Sequence, residues 1–341
     1  MRVAVVGAGS FGTVVANLIA SNGNPTFLAM RDEAQLQSMR RGSENLRYLP
    51  GLKLSEHITF TSDFRHAVAN SSMVFVVVPS GSFREVAREI APHVRPGTGV
   101  VSGTKGLEST GFRLMSQIIE EEIAGARKGV LSGPNLAEEI AAGKFAGTVI
   151  ASEEEDLCLA VQNALATGTF RVYANSDVYG VELGGALKNI YAIICGIAMA
   201  LNVGQNAIAT VITRSLAEMS RFAVSMGASP YTFLGLSGVG DLVATCTSPH
   251  SRNYQLGYRI GSGLSLSEAM NDLGRLAEGV NTLRVVCRKR DELNVYMPLA
   301  RGLEQVLFED ADMGEVVIDL MTSEHQPDVD FAEPVNWSRN R

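Results

Sequence analysis

The chain opens with an apolar run that leads directly into a glycine-rich turn. Residues 1–6 read M-R-V-A-V-V, and Gly7, Gly9 and Gly12 follow in the pattern G-A-G-S-F-G. Between a buried strand and a helix, such glycines permit a tight turn, a close approach of the backbone to a pyrophosphate, and close helix–strand packing. The free N–H groups at the helix N-terminus favour the anion. The turn therefore predicts a βαβ unit that binds a dinucleotide, and the alternative is a glycine-rich turn without a ligand.

The first half of the chain alternates short apolar runs with amphipathic stretches, which is typical of a parallel sheet covered on both faces. Strands are predicted at 3–6, 26–30, 73–78, 99–102, 129–131, 148–151 and 170–173, and helices at 12–21, 84–90 and 137–142. From about residue 176 helical patterns take over, at 182–200, 207–226, 254–260, 266–272, 277–293 and 297–307. Residues 235–241 and 245–253 are predicted as loops, because they are polar and rich in Gly, Ser and Pro.

These patterns predict an α/β fold class with two domains, which suits a chain of 341 residues. The N-terminal domain, residues 1–176, would be a Rossmann-type, doubly wound, mostly parallel sheet that binds the dinucleotide. The C-terminal domain, residues 177–323, would be all-helical and carry the substrate and catalytic residues. Residues 324–341 would form a polar C-terminal tail.

The composition argues against several classes of function. A net charge of −7 gives no basic surface for nucleic acid. The histidines and the four scattered cysteines show no metal-ligand spacing, so no metal site is expected, and the thiols suit a reducing cytoplasm. A strand at the N-terminus leaves no room for a signal peptide, and the apolar run at 190–201 is too short to span a bilayer. We therefore expect a cytoplasmic protein without membrane insertion.

Lys188 lies at the end of V-E-L-G-G-A-L-K-N, residues 181–189, where the chain enters that apolar run. Burying an ammonium group is costly unless a partner compensates its charge. The small residues Gly184, Gly185 and Ala186 would let a small molecule or cofactor approach this helix closely. The local sequence leaves two interpretations open: a buried functional lysine, or a lysine that extends to the surface from a core helix.

Polar groups follow three of the predicted strands, at the carboxyl ends where open α/β sheets bind ligands. They are V-P-S at 78–80, T-K-G at 104–106 and S-G-P-N at 132–135. Lys105, flanked by glycines, is a candidate for the ligand cleft. Pro134 is suited to the first turn of a helix whose N-terminus would again face the ligand.

The second strand is followed by Arg31 and Asp32. An acidic residue at this point holds the ribose hydroxyls of NAD, whereas an arginine accommodates the 2′-phosphate of NADP. Arg31 favours NADP, although Asp32 keeps NAD open, and the alternative is an arginine in a surface salt bridge.

A second anion site is suggested by Ser251, Arg252 and Asn253. A guanidinium binds a phosphate monoester bidentately, and polar neighbours add hydrogen bonds. The alternative is a solvent-exposed polar loop.

Ten motifs occur in one order over residues 1 to about 310: G-A-G-S-F-G, N-L-R-Y-L-P-G (45–51), V-P-S, T-K-G, S-G-P-N, G-V-E-L-G-G-A-L-K-N, G-V-G-D-L, T-C, S-R-N and A-E-G-V. With this set the chain resembles the bacterial type of the NAD(P)-dependent glycerol-3-phosphate dehydrogenase family. The resemblance implies reversible reduction of dihydroxyacetone phosphate to sn-glycerol 3-phosphate for phospholipid synthesis, with NADP(H) or NAD(H) as cofactor. A homodimer is also expected, because some second-half helices are apolar on more than one side.

The resemblance also implies roles for individual residues. Lys188 would be the proton donor and acceptor, and Lys105 and Asp241 would complete the catalytic set. The implied cofactor contacts are Gly7, Gly9, Ser10, Phe11, Gly12, Arg31, Lys105, Ala137, Arg252, Leu276 and Glu278. The implied substrate contacts are Lys105, Gly133, Asn135, Lys188, Asn189, Asp241, Thr245, Ser251, Arg252 and Asn253. The chain departs from the family pattern at Asn135, where Ser or Thr is usual, and at Phe11, where Trp or Tyr is common.

Two other functions compete with this one. A β-hydroxyacid or ketopantoate reductase type would share the two-domain plan, but a carboxylate substrate would not require the S-R-N phosphate site in this form. A non-catalytic NADP-binding sensor would have no use for Lys105, Lys188 and Asp241 together.

Overall fold

The computed structural model describes residues 1–274 and 276–322. They divide into two compact units, the first ending at Glu182 and the second beginning at Leu183. This limit falls inside a helix, Val178–Ala200. The predicted tail at 324–341 lies outside the described residues.

The first unit is built on an eight-stranded sheet. The strands of the chain are β1 (Val3–Val6), β2 (Thr26–Ala29), β3 (Glu44–Asn45), β4 (Leu49–Lys53), β5 (Ile58–Thr61), β6 (Met73–Val76), β7 (Gly99–Ser102), β8 (Arg127–Ser132), β9 (Ala146–Ala151) and β10 (Phe170–Asn175). The sheet order is β10-β9-β8-β7-β6-β1-β2-β5, and β3 pairs with β4 in a separate ribbon. All neighbours in the sheet are parallel except β8 and β9, so the sheet is mostly parallel, as predicted.

Helices cover both faces of this sheet. They are α1 (Ser10–Ser21), α2 (Glu33–Gly42), α3 (Phe64–Ala69), α4 (Ser80–Ile90), α5 (Met115–Glu122), α6 (Ala137–Ala141) and α7 (Glu155–Leu165). Successive strand residues point to opposite faces. Val3 and Val5 therefore join one apolar cluster, while Ala4 and Val6 join the other. Burial on both faces explains why the strands read as unbroken apolar runs.

The described part of the second unit is helical. Its helices are α8 (Val178–Ala200), which begins in the first unit, α9 (Gln205–Ser225), α10 (Asp241–Thr247), α11 (Arg252–Gly261), α12 (Leu266–Leu273), α13 (Glu278–Leu293), α14 (Pro298–Phe308) and α15 (Met313–Thr322). The helices α8 and α11 touch through their backbones. A Cβ on Gly196 would lie 2.1 Å from the Tyr254 carbonyl oxygen, and one on Gly257 would lie 1.9 Å from that of Ile193.

The predicted loops at 235–241 and 245–253 were wrong in large part. Leu236–Gly240 forms one π-helical turn that continues into α10, and α11 begins at Arg252. Tertiary packing overrides the weak helix propensity of glycine here, because this turn packs closely on α8: a Cβ on Gly184 would lie 2.5 Å from the Ser237 carbonyl oxygen. The helix predicted at 137–142 is confirmed as α6 (Ala137–Ala141), but Pro134 lies before its first turn and not in it.

The apolar run at 190–201 is part of a longer helix than the sequence suggested. With 23 residues, α8 is long and apolar enough to cross a membrane. However, 78% of its most apolar window is buried inside the protein, as in the core helix of a globular domain. Burial, and not length, is therefore what explains its composition.

Candidate active site

In the first unit, the three glycines of the turn after β1 have distinct surroundings. Gly7 has a φ of 114°, and a Cβ on it would lie 2.2 Å from the Val77 carbonyl oxygen. A Cβ on Gly12 would lie 2.0 Å from the Gly7 carbonyl oxygen, whereas nothing lies within 4 Å of one on Gly9. No side chain caps the N-terminus of α1. The open backbone at Gly9 and the uncapped N–H groups fit the pyrophosphate of a dinucleotide.

Two residues that received no role from the sequence hold this turn in place. The Asn45 side chain, 1% exposed, donates to the Ala8 carbonyl oxygen (3.0 Å) and to Thr13 Oγ1 (2.7 Å). Gln35 Nε2 donates to the same carbonyl oxygen at 2.8 Å. Asn45 is the first residue of the N-L-R-Y-L-P-G motif, and this motif was the sequence feature that could have pointed to its role.

Ser10 and Phe11, the first residues of α1, are both half-buried. Ser10 Oγ donates to the Tyr48 carbonyl oxygen at 2.9 Å. A Cβ on Gly103 would lie 3.4 Å from Phe11 Cε1, so the aromatic ring lies beside the glycine after β7. Phe11 therefore packs beside the turn that carries Lys105.

Arg31 lies in an ion-pair cluster on the surface. Its Nη2 atom is 2.9 Å from both Glu85 Oε1 and Glu89 Oε2, and its side chain is 48% exposed. Asp32 caps α2 by accepting from the Gln35 N–H and pairs with Arg47 at 2.6 Å. A 2′-phosphate at Arg31 would compete with two carboxylates, so the NADP preference remains a prediction.

Lys105 and Asn135 lie at the carboxyl ends of β7 and β8. Lys105 Nζ donates to the Gly133 carbonyl oxygen at 2.5 Å, and Gly133 has a φ of 132°, which favours glycine. Asn135 Nδ2 lies 2.9 Å from Thr148 Oγ1 on β9. Ala137, 9% exposed, begins α6. These predicted contacts share one edge of the sheet.

In the second unit, Lys188 and Asp241 form a buried ion pair. The Lys188 ammonium donates to Asp241 Oδ1 and, at 2.7 Å, to Thr245 Oγ1. Lys188 is 5% exposed and Asp241 is 1% exposed. Asp241 is the first residue of α10, and Thr245 lies one turn later on the same face. Of the two interpretations of Lys188, the structure supports the buried lysine.

Two cysteines lie on the helices that carry this pair, Cys195 on α8 and Cys246 on α10, and both are buried and free. A hydrogen bond with Cys195, followed by burial, raises the pKa of the Cys246 thiol well above its ordinary value. The Cys246 thiol is therefore neutral at pH 7. No group of three or more metal-ligating side chains occurs among the described residues.

Asn189, the residue after Lys188, belongs to a hydrogen-bonded pair of amide side chains. Asn253 Nδ2 donates to Asn189 Oδ1 at 2.9 Å, and Asn253 Oδ1 accepts from the Gly279 N–H at 3.0 Å. The amide of Asn253 thus links α8, α11 and α13. Ser251 Oγ caps α11 by accepting from the Tyr254 N–H at 3.3 Å.

Arg252, at the first position of α11, is exposed. Among the described residues it forms no ion pair or hydrogen bond, so its guanidinium is available to an anion at this helix N-terminus. Glu278 begins α13 and is half-buried, and Leu276 is 50% exposed.

Gly184, one of the small residues before Lys188, has a different partner from the one expected. A Cβ on Gly184 would lie 2.5 Å from the Ser237 carbonyl oxygen in the π-helical turn. Gly184 therefore makes room for protein backbone and not for a ligand.

Comparison with known proteins agrees with this arrangement. Residues 2–158 match the model for the N-terminus of NAD-dependent glycerol-3-phosphate dehydrogenase, and residues 177–318 match the model for its C-terminus. The chain is similar to glycerol-3-phosphate dehydrogenase (NAD(P)+) of Teredinibacter turnerae, with 54% identity over 97% of each chain. The corresponding protein of Pseudomonas putida is 55% identical over 96% of each chain. A crystal structure of glycerol-3-phosphate dehydrogenase from Coxiella burnetii, 34% identical, superposes with a TM-score of 0.90 over 94% of this chain and 99% of that one. The chain belongs to the NAD-dependent glycerol-3-phosphate dehydrogenase family.

Proposed function

We propose that the chain catalyses the reversible NAD(P)H-dependent reduction of dihydroxyacetone phosphate to sn-glycerol 3-phosphate. The observation that carries the proposal is the buried Lys188–Asp241 pair, on a chain whose relatives are named for this reaction. A buried ammonium held by one carboxylate is suited to give a proton to a carbonyl oxygen.

Bound nicotinamide supplies the hydride in such a reduction. The protein's part is to deliver a proton and to stabilise charge. Lys188 donates its proton to the oxygen on C2 of the substrate, and its charge stabilises the developing alkoxide. Asp241 and Thr245 hold the ammonium in place throughout, since both already accept hydrogen bonds from it. In the reverse direction Lys188 accepts the proton.

The phosphate of the substrate requires a cation. Arg252 is exposed at the N-terminus of α11, where the helix dipole also favours an anion. In the proposal, Arg252 binds the phosphate and thereby positions C2 for reaction. The other proposed substrate contacts are Ser251, Asn253, Asn189, Thr245, Lys105, Gly133 and Asn135.

The dinucleotide is assigned to the turn containing Gly7, Gly9 and Gly12, with NADP as the preferred cofactor and NAD as the second. The other proposed cofactor contacts are Ser10, Phe11, Arg31, Lys105, Ala137, Arg252, Leu276 and Glu278. We further propose a cytoplasmic homodimer without membrane insertion that supplies glycerol phosphate for phospholipid synthesis. The burial of α8 supports the absence of membrane insertion.

The test is NADPH oxidation by the purified protein with dihydroxyacetone phosphate, with unphosphorylated dihydroxyacetone and with ketopantoate. We expect rapid oxidation with the first substrate only. A preference for ketopantoate would support the β-hydroxyacid type of reductase instead. Cofactor binding without oxidation of any substrate would support the sensor.

A further inference from the structure

Thr148 on β9 forms two hydrogen bonds with the end of β8 and the residues after it, and the donor and acceptor of each can be assigned. Thr148 Oγ1 lies 2.8 Å from the Ser132 carbonyl oxygen and 2.9 Å from Asn135 Nδ2. A carbonyl oxygen only accepts, and a hydroxyl has a single proton. Because Thr148 gives that proton to Ser132, its oxygen must accept from Asn135. The amide nitrogen of Asn135 therefore faces Thr148, which is fully buried, and this assignment follows from the network itself.

Asn135 Oδ1 is the carbonyl oxygen of this amide, and it can only accept hydrogen bonds. It is buried, and it accepts no hydrogen bond from residues 1–274 or 276–322. Ser132 Oγ, three residues earlier, is also buried without a partner in the described chain. Buried polar atoms without partners are rare in folded proteins. Two such atoms lie close in sequence to Gly133, whose carbonyl oxygen accepts from Lys105, and this clustering points to a polar binding site.

The chemistry of this site selects what can bind there. An amide oxygen repels a carboxylate, a phosphate or a carbonyl oxygen, and attracts an O–H or N–H donor. Dihydroxyacetone phosphate carries only one strong donor once its phosphate is a dianion, and this is the hydroxyl on C1. The same hydroxyl is present in glycerol 3-phosphate, so one acceptor serves both directions of the reaction.

We propose that Thr148 is a positioning residue that directs Asn135 Oδ1 at the C1 hydroxyl of the substrate, and that this contact makes the enzyme specific for a hydroxymethyl group at that end. This inference rests on the proposed function. A site built to accept from a substrate hydroxyl rejects an analogue without it, because the buried acceptor then stays unpaired. In this proposal Asn135 recognises the hydroxymethyl end of the substrate, which is the end opposite to the phosphate.

The experiment compares dihydroxyacetone phosphate with hydroxyacetone phosphate, which has a methyl group in place of the hydroxymethyl group. For the unmodified protein we expect kcat/KM to be at least about tenfold lower with the methyl analogue. In Thr148→Val, which keeps the shape and removes the hydroxyl, the amide is free to rotate. Its kcat/KM should fall for dihydroxyacetone phosphate and change little for the analogue, so the discrimination disappears. Thr148→Ser should restore it.

Two further measurements separate this role from a structural one. The Kd for NADPH, followed by fluorescence quenching, should be the same in all three proteins. Thr148→Val should lower the Tm, because the buried Ser132 carbonyl oxygen loses its hydrogen bond, but a loss of stability alone acts on both substrates equally and leaves their ratio unchanged. If Thr148→Val does not fold, Asn135→Leu replaces it and should also abolish the discrimination. Equal loss with both substrates, or an unmodified protein that reduces both equally, would overturn the inference. Failure of the protein to reduce dihydroxyacetone phosphate at all would instead overturn the proposed function.

Discussion

The Lys188 ammonium donates to the Asp241 carboxylate inside the second unit, and both groups are almost excluded from solvent. If Lys188 is the proton donor, Lys188→Ala should lower kcat by about 10²–10⁴-fold, the usual contribution of a positioned acid or base. Steady-state kinetics measure this loss, and NADPH affinity should stay nearly intact. Retention of more than about a tenth of kcat would show that another group donates the proton.

The same pair makes a separate prediction for stability. Lys188→Ala leaves the Asp241 carboxylate buried without its cation, which should reduce the free energy of unfolding by about 3–5 kcal/mol. The double variant Lys188→Ala, Asp241→Ala removes both charges, so it should regain much of that stability while remaining inactive. Urea unfolding of the three proteins provides the test. A double variant no more stable than Lys188→Ala would mean that the loss arises from packing.

Arg252→Ala should raise KM for dihydroxyacetone phosphate by about 10–150-fold, because a charge-assisted hydrogen bond is worth roughly 1.5–3 kcal/mol. Unphosphorylated dihydroxyacetone should be a poor substrate before and after the change. Arg259→Ala is the matched control, since Arg259 lies on the same helix but pairs with Asp272. Equal losses with both substrates would indicate that Arg252 contacts only the cofactor.

Cofactor preference should depend on the cluster around Arg31. Arg31→Asp should move the ratio of kcat/KM for NADPH over NADH toward NADH by at least about tenfold. The double variant Glu85→Gln, Glu89→Gln should move the same ratio a few-fold toward NADPH, because it frees the Arg31 guanidinium from two ion pairs. The effect is small because exposed ion pairs are individually weak. Binding of adenosine 2′,5′-bisphosphate should strengthen in parallel. An unchanged ratio in Arg31→Asp would show that the arginine has no part in cofactor choice.

Glu218 should make stability depend on pH. Its carboxyl group accepts from the N–H groups of Leu299 and Ala300 and from the Tyr191 hydroxyl, yet burial raises its pKa from 4.5 to about 7. A raised pKa means that the folded state favours the protonated form. The contribution of Glu218 is therefore complete below pH 4.5 and is lost as pH rises through about 7.

A shift from 4.5 to about 7 corresponds to roughly 3 kcal/mol. Glu218→Gln, which cannot ionise, should therefore lose less stability between pH 5 and 8 than the unmodified protein. Urea unfolding at the two pH values measures the difference. Parallel losses in both proteins would assign the pH dependence to other groups, of which Glu182, with its pKa raised to about 7 by burial, is the first to examine.

Local sterics explain which features could be predicted from the sequence. The turn after β1 was predictable because the positions of Gly7 and Gly12 admit no side chain, and the strands were predictable because they are buried on both faces. Asn45, Gln35 and Thr148 escaped prediction because each acts through a partner distant in the chain. A single buried polar residue leaves no periodic pattern in the sequence.

The direction of β9 and the packing of residues 236–240 could not be predicted from the sequence either. A strand's composition does not reveal whether it runs parallel to its neighbour, so the antiparallel pairing of β9 with β8 was not foreseen. It brings Thr148, near the start of β9, next to the end of β8. Likewise, the helical turn Leu236–Gly240 packs against Gly184, which is about 50 residues earlier in the chain, so this contact leaves no local pattern in the sequence.

Close contacts between backbone segments limit which amino-acid substitutions this protein can accept. At Gly184, Gly196 and Gly257 a single added methyl group would overlap a backbone carbonyl group of a neighbouring segment. Backbone yields much less readily than a side-chain tip, so even alanine would force whole segments apart. Two of these glycines lie on α8, the helix that carries Lys188. Laboratory evolution toward a new substrate is therefore expected to leave these glycines untouched and to collect its substitutions on exposed positions such as Arg252.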